Sequence, residues 1–379
     1  MNKNTISNPV RSIAFFLTAI ILACTFGFTV DGWQAEKEGE KDEGTSQIPE
    51  QPPEDTEGEE NQENSAQEEP PEDETPEIYI PEFTSRITGL EVSESLASTI
   101  PLAFVMNADL PAYGISNAEL LCEIPIENGG SRLVAFLSRT DNLWKIGSIT
   151  NTRGYISNIV RYFSGAMISC GSDDSISYTS CDTSGMHLDL SKNQGYHYTE
   201  YMSNVYTNPD LLTSGLVSAG ISGTANNSSP LPYNHIDFGE ESVVYSDSIG
   251  TVIRIEQSSE SVSELRYDEE SKCYTIYKNG TAMIDSLNGN SVNFANCFIL
   301  FTDSVTYDNS TCNQMVMDTI GDGSGYYFTG GTYTEIKWTA TSGGIMTFYS
   351  MDGNKLTVNR GTSYISFVKS SMTDKITIQ

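Results

Sequence analysis

The sequence predicts an α+β fold, in which a mixed α/β N-terminal domain is followed by a mostly antiparallel β C-terminal domain. Two observations support this prediction. The first half of the folded part alternates apolar runs of strand length with segments of helical spacing, whereas the second half has many short β-branched and aromatic runs separated by turn residues. The chain after the first 80 residues is long enough for two cores. We place the boundary near residue 240, which gives domains at 81–240 and 241–379.

Residues 1–30 have the features of a segment that enters the membrane. Residues 13–30 are uncharged and largely apolar and follow Lys3 and Arg11, which is typical of a signal sequence. The sequence Ile-Leu-Ala-Cys that ends at Cys24 resembles a bacterial lipobox, so Cys24 is the predicted lipidation site. The run is also just long enough for an uncleaved transmembrane anchor, and plain secretion is a third possibility. Each of these places the rest of the chain outside the cytoplasm, and the first two place it at the extracytoplasmic face of the cell membrane.

Residues 31–80 are predicted to be a disordered, acidic tether. They contain 19 acidic residues and two lysines, and they account for −17 of the chain's net charge of −31. Such a composition cannot bury enough apolar surface to offset the loss of chain entropy, and like charges extend it. We interpret the segment as a spacer, with capture of cations or of a basic partner as the alternative. A chain this acidic is not expected to bind nucleic acid.

In the first half, apolar runs predict strands and helical spacing predicts helices. Asn208 and Pro209 are a suitable N-cap and first residue for the second helix. The expected elements are strands at 102–106, 132–137 and 166–170 and helices at 155–163 and 209–219.

In the second half, Asn-Gly and Asp-Gly pairs at 279–280, 288–289 and 352–353 supply the positive φ angles that tight hairpin turns require. The expected strands are at 242–246, 251–256, 272–278, 297–302, 314–318, 326–329, 332–338, 345–350, 355–358 and 364–369.

Several motifs across both halves resemble the YerB-like family of bacterial envelope lipoproteins, in order and in spacing. The motifs are Gly-Ile-Ser-Asn-Ala-Glu-Leu-Leu-Cys-Glu at 114–123, Glu-Asn-Gly-Gly-Ser-Arg at 127–132, Gly-Ser-Ile-Thr-Asn-Thr-Arg at 147–153, Pro-Tyr-Asn at 232–234, Asp-Thr-Ile-Gly-Asp-Gly-Ser-Gly-Tyr-Tyr-Phe at 318–328, Thr-Phe-Tyr-Ser-Met-Asp-Gly at 347–353 and Leu-Thr-Val-Asn-Arg-Gly-Thr-Ser-Tyr-Ile at 356–365. The resemblance covers about residues 85–370. It implies the compartment and a two-part domain of unknown function, but no reaction.

Three polar positions depart from the family pattern. Thr150 stands where an arginine is usual, Ser169 and Cys170 stand where a histidine usually precedes the glycines near Gly171, and Tyr233 replaces the histidine of a Pro-His-Asn motif. Because these positions are altered, we expect this chain to bind a ligand without catalysing a reaction.

Glu123 and Glu127 are the candidate catalytic carboxylates. Glycosidases use two carboxyl groups about 5–9.5 Å apart, which two residues at this spacing on one helix face could provide. Pro125 lies between them and disfavours a helix, and an extended segment would hold them too far apart. The alternative is a structural role, in capping a loop or pairing with Arg132.

Arg132, Arg153 and Asn234 are the candidate ligand-binding residues. A guanidinium can bind a carboxylate or a phosphate through two parallel hydrogen bonds. In an acidic chain, an arginine can equally be an internal ion-pair partner. Asn234 can bond a ligand or close a turn in its proline-rich segment.

No metal or cofactor is expected. The three histidines, His187, His197 and His235, lack ligand spacing, and the spacing of Asp318 and Asp322 fits a hairpin turn better than an EF-hand.

The cysteines permit disulfides outside the cytoplasm, because six remain besides Cys24. Cys170 and Cys181 could close a short loop. The apolar surroundings of Cys122 and Cys297 favour free, buried thiols.

Taken together, the sequence predicts a membrane-tethered extracytoplasmic lipoprotein that binds a cell-envelope ligand without catalysis. Two alternatives remain open. One is an enzyme acting on cell-wall glycan or peptide through Glu123 or Glu127 with Arg132. The other is a structural or assembly partner of another membrane protein, with the β-rich half as its contact surface.

Overall fold

A large mixed β-sheet that contains strands from both halves of the sequence organises the described part of the chain. The computed structural model describes residues 82–172, 185–200, 204–222, 236–240, 242–308, 313–342 and 344–379. The predicted leader with Cys24, the acidic tether, Cys181 and Asn234 lie outside these residues. No helix in the described ranges has the length and apolar character needed to cross a bilayer.

The described secondary structure is mostly β. The helices are α1 (Glu94–Ala97), α2 (Gly154–Tyr162) and α3 (Pro209–Ala219). The strands are β1 (Leu102–Asn107), β2 (Leu120–Pro125), β3 (Ser131–Leu137), β4 (Ile146–Ile149), β5 (Ala166–Ser169), β6 (His187–Asp189), β7 (Tyr198–Thr199), β8 (Val205–Thr207), β9 (Asp237–Phe238), β10 (Val252–Ser258), β11 (Ser261–Asp268), β12 (Cys273–Lys278), β13 (Thr281–Ala282), β14 (Asn293–Phe294), β15 (Asn296–Thr302), β16 (Ser304–Asp308), β17 (Asn313–Met317), β18 (Gly321–Thr329), β19 (Thr332–Ala340), β20 (Met346–Ser350), β21 (Thr357–Val358), β22 (Ser363–Lys369) and β23 (Ile376–Ile378).

The large sheet has the strand order β20-β19-β18-β15-β22-β2-β3-β1-β4-β8-β7, and β5 and β6 extend it beside β1. Its two halves join where β22 lies parallel to β2 on one side and to β15 on the other. A second sheet has the order β13-β12-β11-β10-β23, with β14 beside β12. The strands of the two halves therefore share one hydrogen-bonded framework.

The large sheet buries both of its faces. On one face, Leu121 and Leu133 belong to the same apolar core as Ile253 and Leu265 of the second sheet. On the other face, the core contains residues of β2 and β3 together with Ile156 and other apolar residues of α2. Because successive side chains of a strand point to opposite faces, neighbouring residues of β2 and β3 enter different cores.

The local signals predicted the longer helices well. Asn208 caps α3 by accepting a hydrogen bond from the Leu211 amide at 3.0 Å, and Gly220 ends the helix in the left-handed region. The Asn279-Gly280 pair forms the turn between β12 and β13, and both residues have positive φ.

The prediction of a mixed α/β first half is not confirmed, because that half contributes mainly strands. All six residues of β2 are buried, so the strand lacks the alternation of polar and apolar residues that marks a half-exposed strand. The strand predicted at 242–246 was wrong. That segment is held by side chains instead, since the Asn359 carboxamide accepts from the Val243 amide and the Tyr245 hydroxyl donates to the Thr357 carbonyl.

Asp322 does not lie in a hairpin turn, contrary to the prediction. It is inside β18, whereas Asp318 lies in the connection between β17 and β18. Cys122 and Cys297 are free and buried, as predicted, and Cys170 is free.

A buried polar network joins the two sheets at Glu123, which is 0% exposed. One carboxylate oxygen accepts from the Ser131 hydroxyl at 2.9 Å and from the Lys278 ammonium. The other accepts from the Ser263 hydroxyl at 2.6 Å and the Tyr364 hydroxyl at 2.5 Å. The Glu123 charge is therefore compensated by groups from β3, β11, β12 and β22.

The surroundings keep Glu123 ionised. Burial raises its pKa, but the Lys278 charge and the hydrogen bonds from Lys278, Ser263 and Tyr364 outweigh burial and bring the pKa below its usual range. A carboxyl group with a lowered pKa and four bonded donors is a poor general acid, so this network has a structural role.

Asp285 forms a second tie between the two halves. Its buried carboxylate accepts from the amides of Gly114 and Ser116, both at 2.9 Å, and from the Ser116 hydroxyl at 2.7 Å. The loop before β2 is thus anchored to the loop before β14.

We predict that Lys278→Met lowers the free energy of unfolding by about 3–5 kcal/mol at pH 7, because it leaves Glu123 buried without its cation. The loss should shrink as the pH falls towards 4.5, the ordinary carboxyl pKa. In the native chain, the lowered pKa of Glu123 gives stability that is present above this value and is lost on acidification. In the variant, burial raises the pKa, so protonation restores stability. Urea unfolding at several pH values measures both effects.

The matched control is Lys272→Met, which removes an exposed ion pair with Glu269. This variant should unfold at nearly the native urea concentration at every pH. A Lys278→Met loss that is equal at pH 7 and pH 4 would contradict the role assigned to the ion pair.

Candidate functional site

Four of the predicted site residues lie in the described part of the chain, namely Glu123, Glu127, Arg132 and Arg153. All four lie near the tip of the β2–β3 hairpin, but they do not form one site. Across the hairpin, Glu123 pairs with Leu133 and Ile124 pairs with Arg132. Leu133 belongs to the core under the second sheet, whereas Ile124 belongs to the core under α2. Cross-strand partners share a face, so Glu123 and Arg132 lie on opposite faces of the sheet. The structure therefore separates Glu123 from the arginine side of the hairpin.

Glu127 binds Arg153, not Arg132. Glu127 lies in the turn after β2, and Arg153 is the extended residue that immediately precedes α2. The Arg153 guanidinium donates through Nη2 to Oε1 and through Nε to Oε2, the latter at 3.3 Å. Its Nη1 also donates to the Thr152 carbonyl at 3.0 Å. Both side chains are mostly buried, with 18% of Glu127 and 11% of Arg153 exposed.

Arg132 is held beside this pair by Asn151. Its Nη2 donates to Asn151 Oδ1 at 2.9 Å, its Nε donates to the Asn151 carbonyl at 3.4 Å, and its Nη1 reaches the Ser131 carbonyl at 3.5 Å. A guanidinium has five N–H donors, so one N–H on each terminal nitrogen of this half-buried side chain has no acceptor in the described part of the chain. We call Glu127, Arg132, Asn151 and Arg153 the arginine cluster.

The surroundings of the arginine cluster lower the pKa of both Glu127 and Arg132. Burial raises the pKa of Glu127, but hydrogen bonding and the charges of Arg153 and Arg132 bring it below its usual range, so its carboxylate is ionised. Burial lowers the pKa of Arg132, and the neighbouring Arg153 lowers it further. Arginine nevertheless stays protonated in proteins. Two guanidinium groups thus lie beside the Glu127 carboxylate, and the Asp109 carboxylate also acts on the charge of Arg132.

Positions that depart from the family pattern adjoin the arginine cluster. Thr150 lies next to Asn151, and its hydroxyl donates to Asn151 Oδ1 at 3.4 Å. The Thr150 carbonyl accepts from the Cys170 amide at 2.9 Å. Gly171 has a φ of +90°, and an added Cβ there would lie 3.6 Å from Asn151 Cβ. Thr150, Cys170 and Gly171 therefore lie close to the arginine cluster at one end of the large sheet.

A histidine from another strand reaches this end of the sheet. Ser169 Oγ lies 2.9 Å from His187 Nε2, and the Asp189 carboxylate accepts from the Gly171 amide at 2.8 Å. The sequence did not indicate His187 or Asn151 as site residues. Asn151 lies within the family motif at 147–153, so this motif could have indicated it as a site residue. The contact between Ser169 and His187 could not be predicted in this way, because it depends on which strands become neighbours.

Within the described ranges, no group of three or more His, Cys, Asp or Glu side chains is placed to hold a metal ion. The donors of the arginine cluster are N–H groups, and such groups bind anions. The arrangement is therefore suited to holding an oxyanion.

The chain matches two domains of one family. Residues 87–222 match the N-terminal domain of the protein of unknown function DUF3048, and residues 253–365 match its C-terminal domain. The fold resembles the crystal structure of the YerB protein from Bacillus subtilis, with a TM-score of 0.67 and 19% identity, over 78% of this chain and 99% of that one. A comparison with curated proteins finds no match. The two domain matches together cover more than half of the sequence, and the chain belongs to the YerB-like DUF3048 family.

Proposed function

We propose that this protein is a membrane-tethered extracytoplasmic binding protein, and that the arginine cluster holds an anionic group of a cell-envelope ligand. The observation that carries the proposal is the pair of unused N–H donors on the half-buried Arg132 guanidinium, beside the ion pair of Arg153 and Glu127. Residues 81–379 carry a net charge of −16, so a half-buried guanidinium with unused donors is unusual in this part of the chain.

The burial of the cluster adds support. A charge-assisted hydrogen bond is stronger where water is partly excluded, and the mostly buried Arg153 makes the site such a place. Arg132 is only half-buried, so a ligand can reach it. Proteins use bidentate arginine contacts for carboxylate and phosphate groups.

The tether is proposed from residues 1–80. The apolar run with Cys24 supports attachment to the membrane, and the acidic segment after it supports a spacer between membrane and binding domain. In this arrangement the ligand is a component of the envelope within reach of the spacer.

Cys24→Ala should abolish incorporation of a labelled fatty acid into the full chain in a bacterial host, because the lipidated thiol is absent. Gel autoradiography of the immunoprecipitated protein measures the label. Cys122→Ala is the matched control and should keep full labelling, since Cys122 is buried in β2. Persistent label on the Cys24→Ala chain would refute lipidation at this residue.

Arg132→Met should remove the binding of soluble cell-wall fragments by the full chain in detergent, because the half-exposed guanidinium is lost. Binding by the native chain should raise its melting temperature by mass action, and the variant should show no such rise. Arg139→Met is the control, since Arg139 is exposed and forms its ion pair with the nearby Asp141. Equal shifts for the native and Arg132→Met chains would contradict a binding role for the arginine cluster.

A further inference from the structure

We infer that the second half of the chain has a peptide-binding groove, which the chain's own residues 236–248 occupy in this structure. We call this segment the strap, of which residues 236–240 and 242–248 are described. The groove ligand is a peptide of a partner protein in which a phenylalanine is followed seven positions later by a tyrosine. The residues that form the groove are Gly89, Tyr327, Thr357, Val358, Asn359 and Arg360.

The groove recognises the main chain of the strap. β9 lies parallel to β21, and the Gly239 amide donates to the Val358 carbonyl at 3.0 Å. The Arg360 Nε group donates to the Gly239 carbonyl at 2.9 Å. The Asn359 carboxamide accepts from the Val243 amide at 2.7 Å and donates to the Val243 carbonyl at 3.0 Å. Because these contacts bind main-chain atoms, they can hold a peptide of another sequence, as in strand addition to a sheet.

Buried residues outside the strap hold Asn359 in its orientation. The Tyr327 hydroxyl accepts from the Asn359 amide at 3.0 Å, and the Asn296 carboxamide donates to the Asn359 carbonyl at 2.8 Å. The Asn359 Nδ2 group also donates to Thr329 Oγ1 at 3.1 Å. Tyr327 and Asn296 are buried in strands of the large sheet. The carboxamide is therefore preorganised for a peptide backbone, which reduces the entropy lost on binding.

Two aromatic side chains of the strap give the groove its specificity. Phe238 lies against Gly89, where an added Cβ would overlap the Phe238 ring. The Tyr245 ring meets the Tyr327 ring edge to face, with 6.1 Å between their centroids. The Tyr245 hydroxyl donates to the Thr357 carbonyl at 2.8 Å and accepts from the Thr357 amide at 2.9 Å. A ligand therefore needs an aromatic residue at the first position and a tyrosine at the second.

The exposure of the strap allows exchange with a peptide. Its described residues are all at least partly exposed, whereas Tyr327 and Val358 of the groove are buried. A segment that buries little apolar surface opens at a lower free-energy cost than the core strands do. The strap can therefore leave the groove while both sheets stay folded, and a peptide that offers the same contacts can replace it.

The test measures binding of a fluorescent peptide with the sequence of residues 236–248 to the full chain in detergent, by fluorescence anisotropy. In the native chain the attached strap competes at a high effective concentration. The double variant Phe238→Ser with Tyr245→Ser weakens the strap, so it should bind the peptide about tenfold more tightly than the native chain, or more. Tyr245→Phe, which removes only the hydroxyl bonds, should give a smaller gain in the same direction.

Adding Asn359→Leu to the double variant should weaken peptide binding about tenfold, because two hydrogen bonds to the main chain are lost. Adding Asn117→Leu instead is the matched control and should leave binding unchanged, since Asn117 is exposed and lies outside the groove. A second peptide, with serine in place of both aromatic residues, should not bind.

The melting temperature of each variant shows whether it is folded. Equal binding of the two peptides, or undiminished binding after Asn359→Leu, would overturn the inferred groove. Binding to the folded double variant and to Tyr245→Phe that is no tighter than to the native chain would overturn it as well.

Discussion

The compensation of one buried charge constrains much of this structure. Glu123 lies between two sheets with no exposed surface, and transfer of a carboxylate into such a place costs several kcal/mol unless it is paired and hydrogen-bonded. The cation comes from Lys278, 155 residues further along the chain, and the hydroxyl donors come from other strands of both sheets. The sheets must therefore meet in one register for the carboxylate to be satisfied.

The same hairpin carries the candidate binding site because its two faces have different surroundings. The face that contains Glu123 is closed by the second sheet, and both oxygens of the Glu123 carboxylate accept hydrogen bonds. The face that contains Arg132 meets the start of α2, where Glu127 and Arg153 form their pair and the sheet ends. The closed face fixes the position of the hairpin, so the arginines on the other face are held by rigid elements. A preorganised site of this kind loses less entropy on binding.

The sequence correctly predicted those elements that are determined by residues close to them in the chain. The Asn208 cap defined α3, and Pro125 correctly argued against a helix around Glu123. The strand β2 was not predicted because burial on both faces removes the alternation that a sequence can show. The segment 242–246 was mistaken for a strand because β-branched and aromatic residues also occur where side chains, rather than a ladder, satisfy the backbone.

The sequence predicted individual residues of the candidate site but not how they pair. Arg132 and Arg153 were predicted as ligand-binding residues because each lies in a motif that resembles the family and because a guanidinium suits carboxylate and phosphate groups. The choice of Arg153 as the partner of Glu127, and of Lys278 as the partner of Glu123, depends on which strands become neighbours. Sequence spacing cannot reveal a pair of residues that the sheet order brings together.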